Sequence, residues 1–147
     1  MVKATDITPG PVVSTENWEA IAAPAEHVQP YLDSLAYRFN TPNGSIVFTG
    51  DTQPCESVVD LAKDADMMLC MCWDEQSTME NNGENIGQCG TEGAAKMAQA
   101  AEVKQLVLVH IGPTLSKKTT EETSVHHIKK FYDGETIYSH ELMQIQL

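Results

Sequence analysis

Three short segments of this chain end an apolar run with a residue able to bind a metal ion. They are Ala25-Glu26-His27, Thr49-Gly50-Asp51-Thr52 and Val107-Leu108-Val109-His110. Imidazole and carboxylate donors suit zinc and related divalent cations, and one carboxylate can bridge two ions. Singly, each residue has an ordinary explanation, because a histidine at a strand end is usually structural and Gly-Asp-Thr recurs in Asx turns. Their common position argues for a set, since groups on loops at one sheet edge can converge on one site. Cys70 and Cys89 are weaker candidates. A cysteine can serve as a thiolate ligand or as a small buried hydrophobe, and both readings stay open for Cys70, its same-face neighbour Cys72, and Cys89. His126 and His127 fall on a helical stretch where exposure explains them, and His140 is assigned to structure.

The elements that must carry these residues alternate between strand and helix from Ser45 onward, the pattern of a layered α/β domain. Leu35–Thr41 and Ser45–Thr49 flank Pro42-Asn43-Gly44, whose turn chemistry predicts a hairpin. A helix is predicted from Glu56 to about Ala65, with Val58, Val59 and Ala62 on one face. Met67–Cys72 and Gln105–His110 are apolar almost throughout and read as strands buried on both faces. Between them, polar Asp74–Gln88 reads as a long loop, and Thr91 as the cap of a helix reaching Ala101. A further helix capped by Thr119 or Thr120 carries Val125, Ile128 and Phe131, followed by strands at Thr136–Ser139 and Leu142–Leu147. Residues 1–30 read as an irregular lead-in with one strand at Trp18–Ala23, and 31–147 as a βα core, together a single unit 1–147.

At 147 residues with 41% hydrophobic and 20% charged side chains, the chain can bury a core of its own. No apolar stretch approaches the ~20 residues needed to span a bilayer, and MVKATDITPG lacks a signal-peptide pattern, so a cytoplasmic protein with no membrane partner is expected. Its four cysteines are read as free thiols. A formal charge of -12 would repel a phosphate backbone, so nucleic acid is not an expected partner. Lys117, Lys118, Lys129 and Lys130 are the only clustered bases.

Tyr37-Arg38-Phe39, then Val47-Phe48-Thr49-Gly50-Asp51-Thr52 with its following helix, then Leu106-Val107-Leu108-Val109-His110, resembles the metallo-β-lactamase superfamily. The similarity runs from about Trp18 to Leu147 and is closest to the branch of tRNA 3′-processing endonucleases and arylsulfatase-like hydrolases. It implies the C-terminal half of an αββα sandwich, a mixed sheet with helices on one face. It further implies that Asp51 is the catalytic carboxylate bridging two metal ions, zinc or another divalent metal, that His110 binds one ion, and that His27 binds the other.

The family's first half supplies a His-x-His-x-Asp-His segment, and this chain has none. Relatives in the nuclease branch often carry His-Glu at Cys70-Met71 and a histidine at Cys89. The resemblance therefore implies a hydrolase with an incomplete site, completed by an N-terminal half or a second subunit, acting on a small-molecule ester, lactone, sulfate or phosphodiester. The alternative is a non-catalytic binding or assembly domain derived from the same fold. A half-sandwich leaves one sheet face open, so a homo-oligomer is expected unless an N-terminal half covers that face.

Overall fold

The structure, a computed structural model, describes residues 4–147 except the side chain of Lys118. Residues 1–3 of the lead-in, and Lys118 as one of the clustered bases, lie outside the described residues.

One 7-stranded sheet holds the chain together, its strands lying in sequence order. They are β1 (Gly10–Ser14), β2 (Glu19–Ala25), β3 (Ser34–Thr41), β4 (Gly44–Phe48), β5 (Met67–Met71), β6 (Gln105–Val109) and β7 (Glu135–Tyr138). β1 to β4 form an antiparallel meander, and β4 to β7 are mutually parallel. The mixed sheet is the one expected. β1 was not: residues 1–30 read as irregular apart from one strand, with Pro11 among the prolines that interrupt them, yet an edge strand tolerates proline because one side of its ladder faces solvent.

The hairpin forms at Pro42-Asn43, where the Thr41 hydroxyl donates to the Gly44 carbonyl at 2.9 Å and accepts the Asn43 N–H at 3.2 Å. Parallel pairing requires crossovers, and these carry helices α1 (Glu56–Ala62), α2 (Gln76–Asn82), α3 (Thr91–Ala100) and α4 (Lys118–Ile128). α1 stops short of Ala65 because the chain turns at Asp64, whose φ is 55° and whose N–H donates to Ala101 O at 2.8 Å. The predicted long loop contains α2, ended by Gly83 at φ 70°. Thr91 is the first residue of α3 rather than its cap, and its hydroxyl donates instead to Glu75 Oε2 at 3.1 Å. Leu142–Leu147 forms no strand; it has no ladder partner and returns toward β4, where Leu147 lies beside Gly44.

α1, α3 and α4 form one layer, α3 touching both of the others. The core lies between them and the sheet, where Val47, Met68, Cys70, Leu106 and Leu108 meet Val58, Ala94, Ala98 and Ile128. Small residues on α3 let it approach the strands closely. On the opposite face Tyr37 pairs with Phe48 and Phe39 with Ile46, so the aromatic side chains stand together. Phe39 meets Phe48 edge-on at 5.8 Å and Trp18 at 6.2 Å, and Phe48 remains 40% exposed. Toward β6 the same face is covered, with Met67 and Val107 buried. Among the described residues no helix is long and apolar enough to cross a membrane.

Just before β5, Asp66 ties three elements. Lys104 Nζ approaches Asp66 Oδ1 at 2.6 Å, while the Ser45 N–H and hydroxyl donate to Oδ2 at 2.7 and 3.0 Å. Lys104 first, and then the Ser45 main chain, hold the Asp66 carboxyl down at about 2. Its folded pKa is thus below its unfolded value, so the stability it adds is complete above ~4 and disappears as pH falls through ~2. Asp66→Asn is expected to flatten the acid limb of a urea-denaturation stability profile between pH 5 and pH 2. An acid limb as steep as the wild type's would show that other carboxylates govern it.

Candidate metal centre

The topology brings the three sequence-selected segments to one edge. β2 is antiparallel to β3, and β3 to β4, so β2, β4 and β6 all point the same way. His27, Asp51 and His110 follow those three strands.

The Thr49-Gly50-Asp51-Thr52 segment divides into structural and free residues. Thr49 and Thr52 are fully buried. Thr49 Oγ1 donates to Gly50 O at 2.8 Å and accepts the Met71 N–H at 3.3 Å. Thr52 Oγ1 donates to Gln53 O at 2.7 Å and accepts the Glu26 N–H at 2.9 Å, tying the end of β2 to the end of β4. Gly50 takes φ 61° with Leu35 O only 3.3 Å from the position of a Cβ, a turn that glycine alone makes without strain. Between them Asp51 is exposed, and among the described residues its carboxylate takes no hydrogen bond from the main chain. The Asx-turn explanation therefore does not account for this aspartate.

Its neighbour is His110. The Nε2 of His110 lies 3.5 Å from Asp51 Oδ1, with side chains 50% and 45% exposed. His110 adopts φ 51°, uncommon for a residue other than glycine. Such backbone outliers persist where surrounding structure holds them, and they concentrate at functional sites. Part of the hold comes from Trp73, just past β5. Its ring lies 5.7 Å from the imidazole, and its carbonyl accepts the Gly112 N–H at 2.9 Å. Sequence reasoning passed over Trp73, although β5 is parallel to β6 and its following residue must lie beside theirs.

His27 stands on the same edge but outside this pair. Its ring hydrogen-bonds Gly87 O at 2.6 Å. Glu26, the residue before His27, pairs antiparallel with Gln53, two residues beyond Asp51, so the ends of β2 and β4 draw together here. Among the described residues no three His, Cys, Asp or Glu side chains come together as a metal-binding group. Asp51 and His110 have the donor chemistry for a divalent cation, and they are two donors where a closed zinc site takes four. Cys70 and Cys89 lie in the hydrophobic core with no exposure. The Cys89 thiol is pushed up by its hydrogen bond to Cys70 and by burial, and the Cys72 thiol by burial, which keeps both protonated. Beside them the Glu75 carboxylate accepts from the hydroxyls of Ser124 at 2.6 Å and Thr91 at 3.1 Å, a network that knits α4 to α3.

Comparison with known proteins agrees with this architecture. Residues 1–111 match the family model of the beta-lactamase superfamily domain. An uncharacterised Mycobacterium leprae protein is 34% identical over 118 residues, 78% of this chain and 39% of its own length. A ribonuclease Z of Methanosarcina acetivorans is 29% identical over 98% of this chain and 45% of its own. Among solved structures, the Bacillus subtilis metallo-beta-lactamase fold protein YhfI superposes with TM-score 0.76 at 17% identity, over 93% of this chain and 53% of that one. The short form of human tRNase Z gives TM-score 0.67 at 19% identity, over 92% and 44%. The chain spans less than half the length of the curated relatives it matches.

These relatives overturn the expectation that nucleic acid is excluded as a partner, for several bear the name ribonuclease Z. The inference from charge failed for a physical reason. The value of -12 sums the whole chain, whereas potentials between exposed charges are screened beyond ~8–10 Å, so the sum says little about the field at one sheet edge.

Proposed function

Because the chain belongs to the metallo-β-lactamase superfamily, we propose that it contributes one half of a divalent-metal hydrolase whose substrate is a phosphodiester, RNA included. The observation that carries this reading is the approach of His110 to Asp51, with a carboxylate left free of main-chain hydrogen bonds. The names of the ribonuclease Z relatives favour the phosphodiester over the carboxylic ester, lactone or sulfate. Asp51 and His110 would hold a divalent cation, zinc among the choices, with the remaining donors coming from an N-terminal half or a second subunit. A bound cation of this kind lowers the pKa of its water and offsets charge developing on phosphate.

This chain's residues do the positioning. Gly50 and His110, both in left-handed conformations, swing the carboxylate and the imidazole toward each other across the end of β5. Trp73 flanks the imidazole, its ring 5.7 Å away and tilted by 54°. The open aromatic face of Tyr37, Phe39 and Phe48 is where the completing half would pack, since apolar area of this kind is stabilised by burial. That two donors meet among the described residues, where a closed zinc site takes four, favours a second reading, a binding or assembly domain without turnover.

A screen of the zinc-supplemented chain against bis(p-nitrophenyl) phosphate, p-nitrophenyl acetate and p-nitrophenyl sulfate separates these. Alone, the chain is expected to turn over none of them. Joined to a polypeptide bearing a His-x-His-x-Asp-His segment, it should cleave the phosphodiester in preference to the other two. Preference for the acetate or sulfate would sink the substrate class, and silence of the joined protein with zinc bound would favour the assembly domain.

A further inference from the structure

His27 stands apart from the Asp51–His110 pair, and its own surroundings fix a property of its ring. Nδ1 lies 2.6 Å from the carbonyl oxygen of Gly87. A carbonyl oxygen only accepts, so Nδ1 carries the proton, and in the neutral ring Nε2 is left with a lone pair. That carbonyl is itself held. The Gly87 N–H donates to Gln53 Oε1 at 2.9 Å, and Gln53 Nε2 donates to Glu26 Oε2 at 2.7 Å. The Gln53 N–H donates to Glu26 O at 2.8 Å, so one glutamine ties the loop before α3 to the end of β2 at both its side chain and its main chain. Gly87 adopts φ 76°, and a Cβ there would meet Val28 N at 3.2 Å and His27 Nδ1 at 3.4 Å. A larger residue would push the carbonyl off the ring.

We infer that Gln53 and Gly87 form a strap that holds His27 as its Nδ1–H tautomer, with Gln53 as the positioning residue, so that Nε2 is presented as a donor to a divalent cation. Free imidazole side chains favour the opposite tautomer, with the proton on Nε2, so the strap reverses the intrinsic preference. Ligating histidines depend on such an outer partner to fix ring orientation and raise basicity. The strap stands on the geometry alone, and its use rests on the divalent-cation reading above.

Long-range proton–nitrogen NMR spectra of the metal-free protein test the strap directly. His27 is expected with Nδ1–H as its major tautomer, in an excess below the roughly tenfold that one net hydrogen bond supplies at its upper end, because the intrinsic preference opposes it, whereas exposed His126 should favour Nε2–H. Gln53→Ala, with its circular dichroism unchanged, should lower the His27 ratio by about threefold or more, toward the Nε2–H form. A His27 protonated on Nε2 in the wild type, or a ratio unmoved by Gln53→Ala, overturns the strap. Zinc titration then tests its use: His27 Nε2 should shift together with His110, and a shift of His110 alone overturns the presentation of His27. If neither shifts, even with the chain joined to a polypeptide bearing the His-x-His-x-Asp-His segment, the divalent-cation reading itself fails, and the metal-free spectrum still decides the strap.

Discussion

Asp51→Ala is expected to weaken zinc binding by at least about a hundredfold, with His126→Ala leaving it unchanged. Loss of an outer-shell partner alone costs ~10–100-fold in metal affinity, and Asp51 is placed as a direct donor. It also brings the only carboxylate within 4 Å of His110 Nε2 among the described residues. Removing it leaves an exposed imidazole at a strand end, which binds a dication no better than His126 does. Asp51→Asn separates the two contributions, because the amide keeps an oxygen donor and loses the charge. It should fall between wild type and alanine. Isothermal titration with zinc reads all three, and equal affinity for Asp51→Ala and His126→Ala would leave no reason to single out Asp51.

The second large effect is expected at Gly112, two residues beyond His110. A Cβ at this position would overlap the Trp73 carbonyl oxygen and crowd the indole ring. The obstacle is backbone on both sides, because Gly112 N–H donates to that same carbonyl and Gly112 O accepts the Ser116 N–H at 3.0 Å and its hydroxyl at 2.9 Å. No rotamer change relieves such a clash. Gly112→Ala should therefore cost about 3 kcal/mol or more, the upper range for overpacking, and should carry His110 away from Asp51. Gly83→Ala is the comparison: Gly83 has φ 70° but open space around it, so only the conformational penalty of roughly 1 kcal/mol applies. Urea denaturation gives both values. A Gly112→Ala variant within about 0.5 kcal/mol of wild type would show that the chain slides past Trp73 freely.

What could be read from the sequence was what repeats or punctuates. The apolar runs at Met67 and Gln105 gave β5 and β6, and Pro42-Asn43-Gly44 gave the hairpin. The pairing of Gly50-Asp51 with a histidine closing an apolar run pointed to a place where a carboxylate and an imidazole meet. The missed features depend on partners remote in sequence. Edge strand β1 exists because β2 offers it a ladder, in spite of Pro11. α2 is held by Met79, buried beneath a segment that is polar on average. Cys89 leaves a polar stretch and enters the core, beside a Cys70 nineteen positions earlier. Thr91 reads as a cap until Glu75, sixteen residues before it, claims its hydroxyl. His27 was selected without the bridge from Glu26 to Gln53, which draws the end of β2 toward the segment after Asp51 and joins residues far apart in sequence. Net charge misled about nucleic acid because it carries no positions.

The sheet order has a further consequence. Since the strands lie in the order in which they occur in the chain, every ladder joins a strand to one already made. During synthesis from the N-terminus the sheet can grow by addition at a single edge, with β1 to β4 forming a meander before β5 is complete. Each addition closes one connection and leaves the earlier ladders intact, so the loop-closure cost is met in small instalments instead of one long return. The pairing of Asp51 with His110 comes late in that sequence, when β6 docks on β5. The metal-facing edge is thus assembled after the antiparallel half is in place, on a scaffold that already fixes where Asp51 stands.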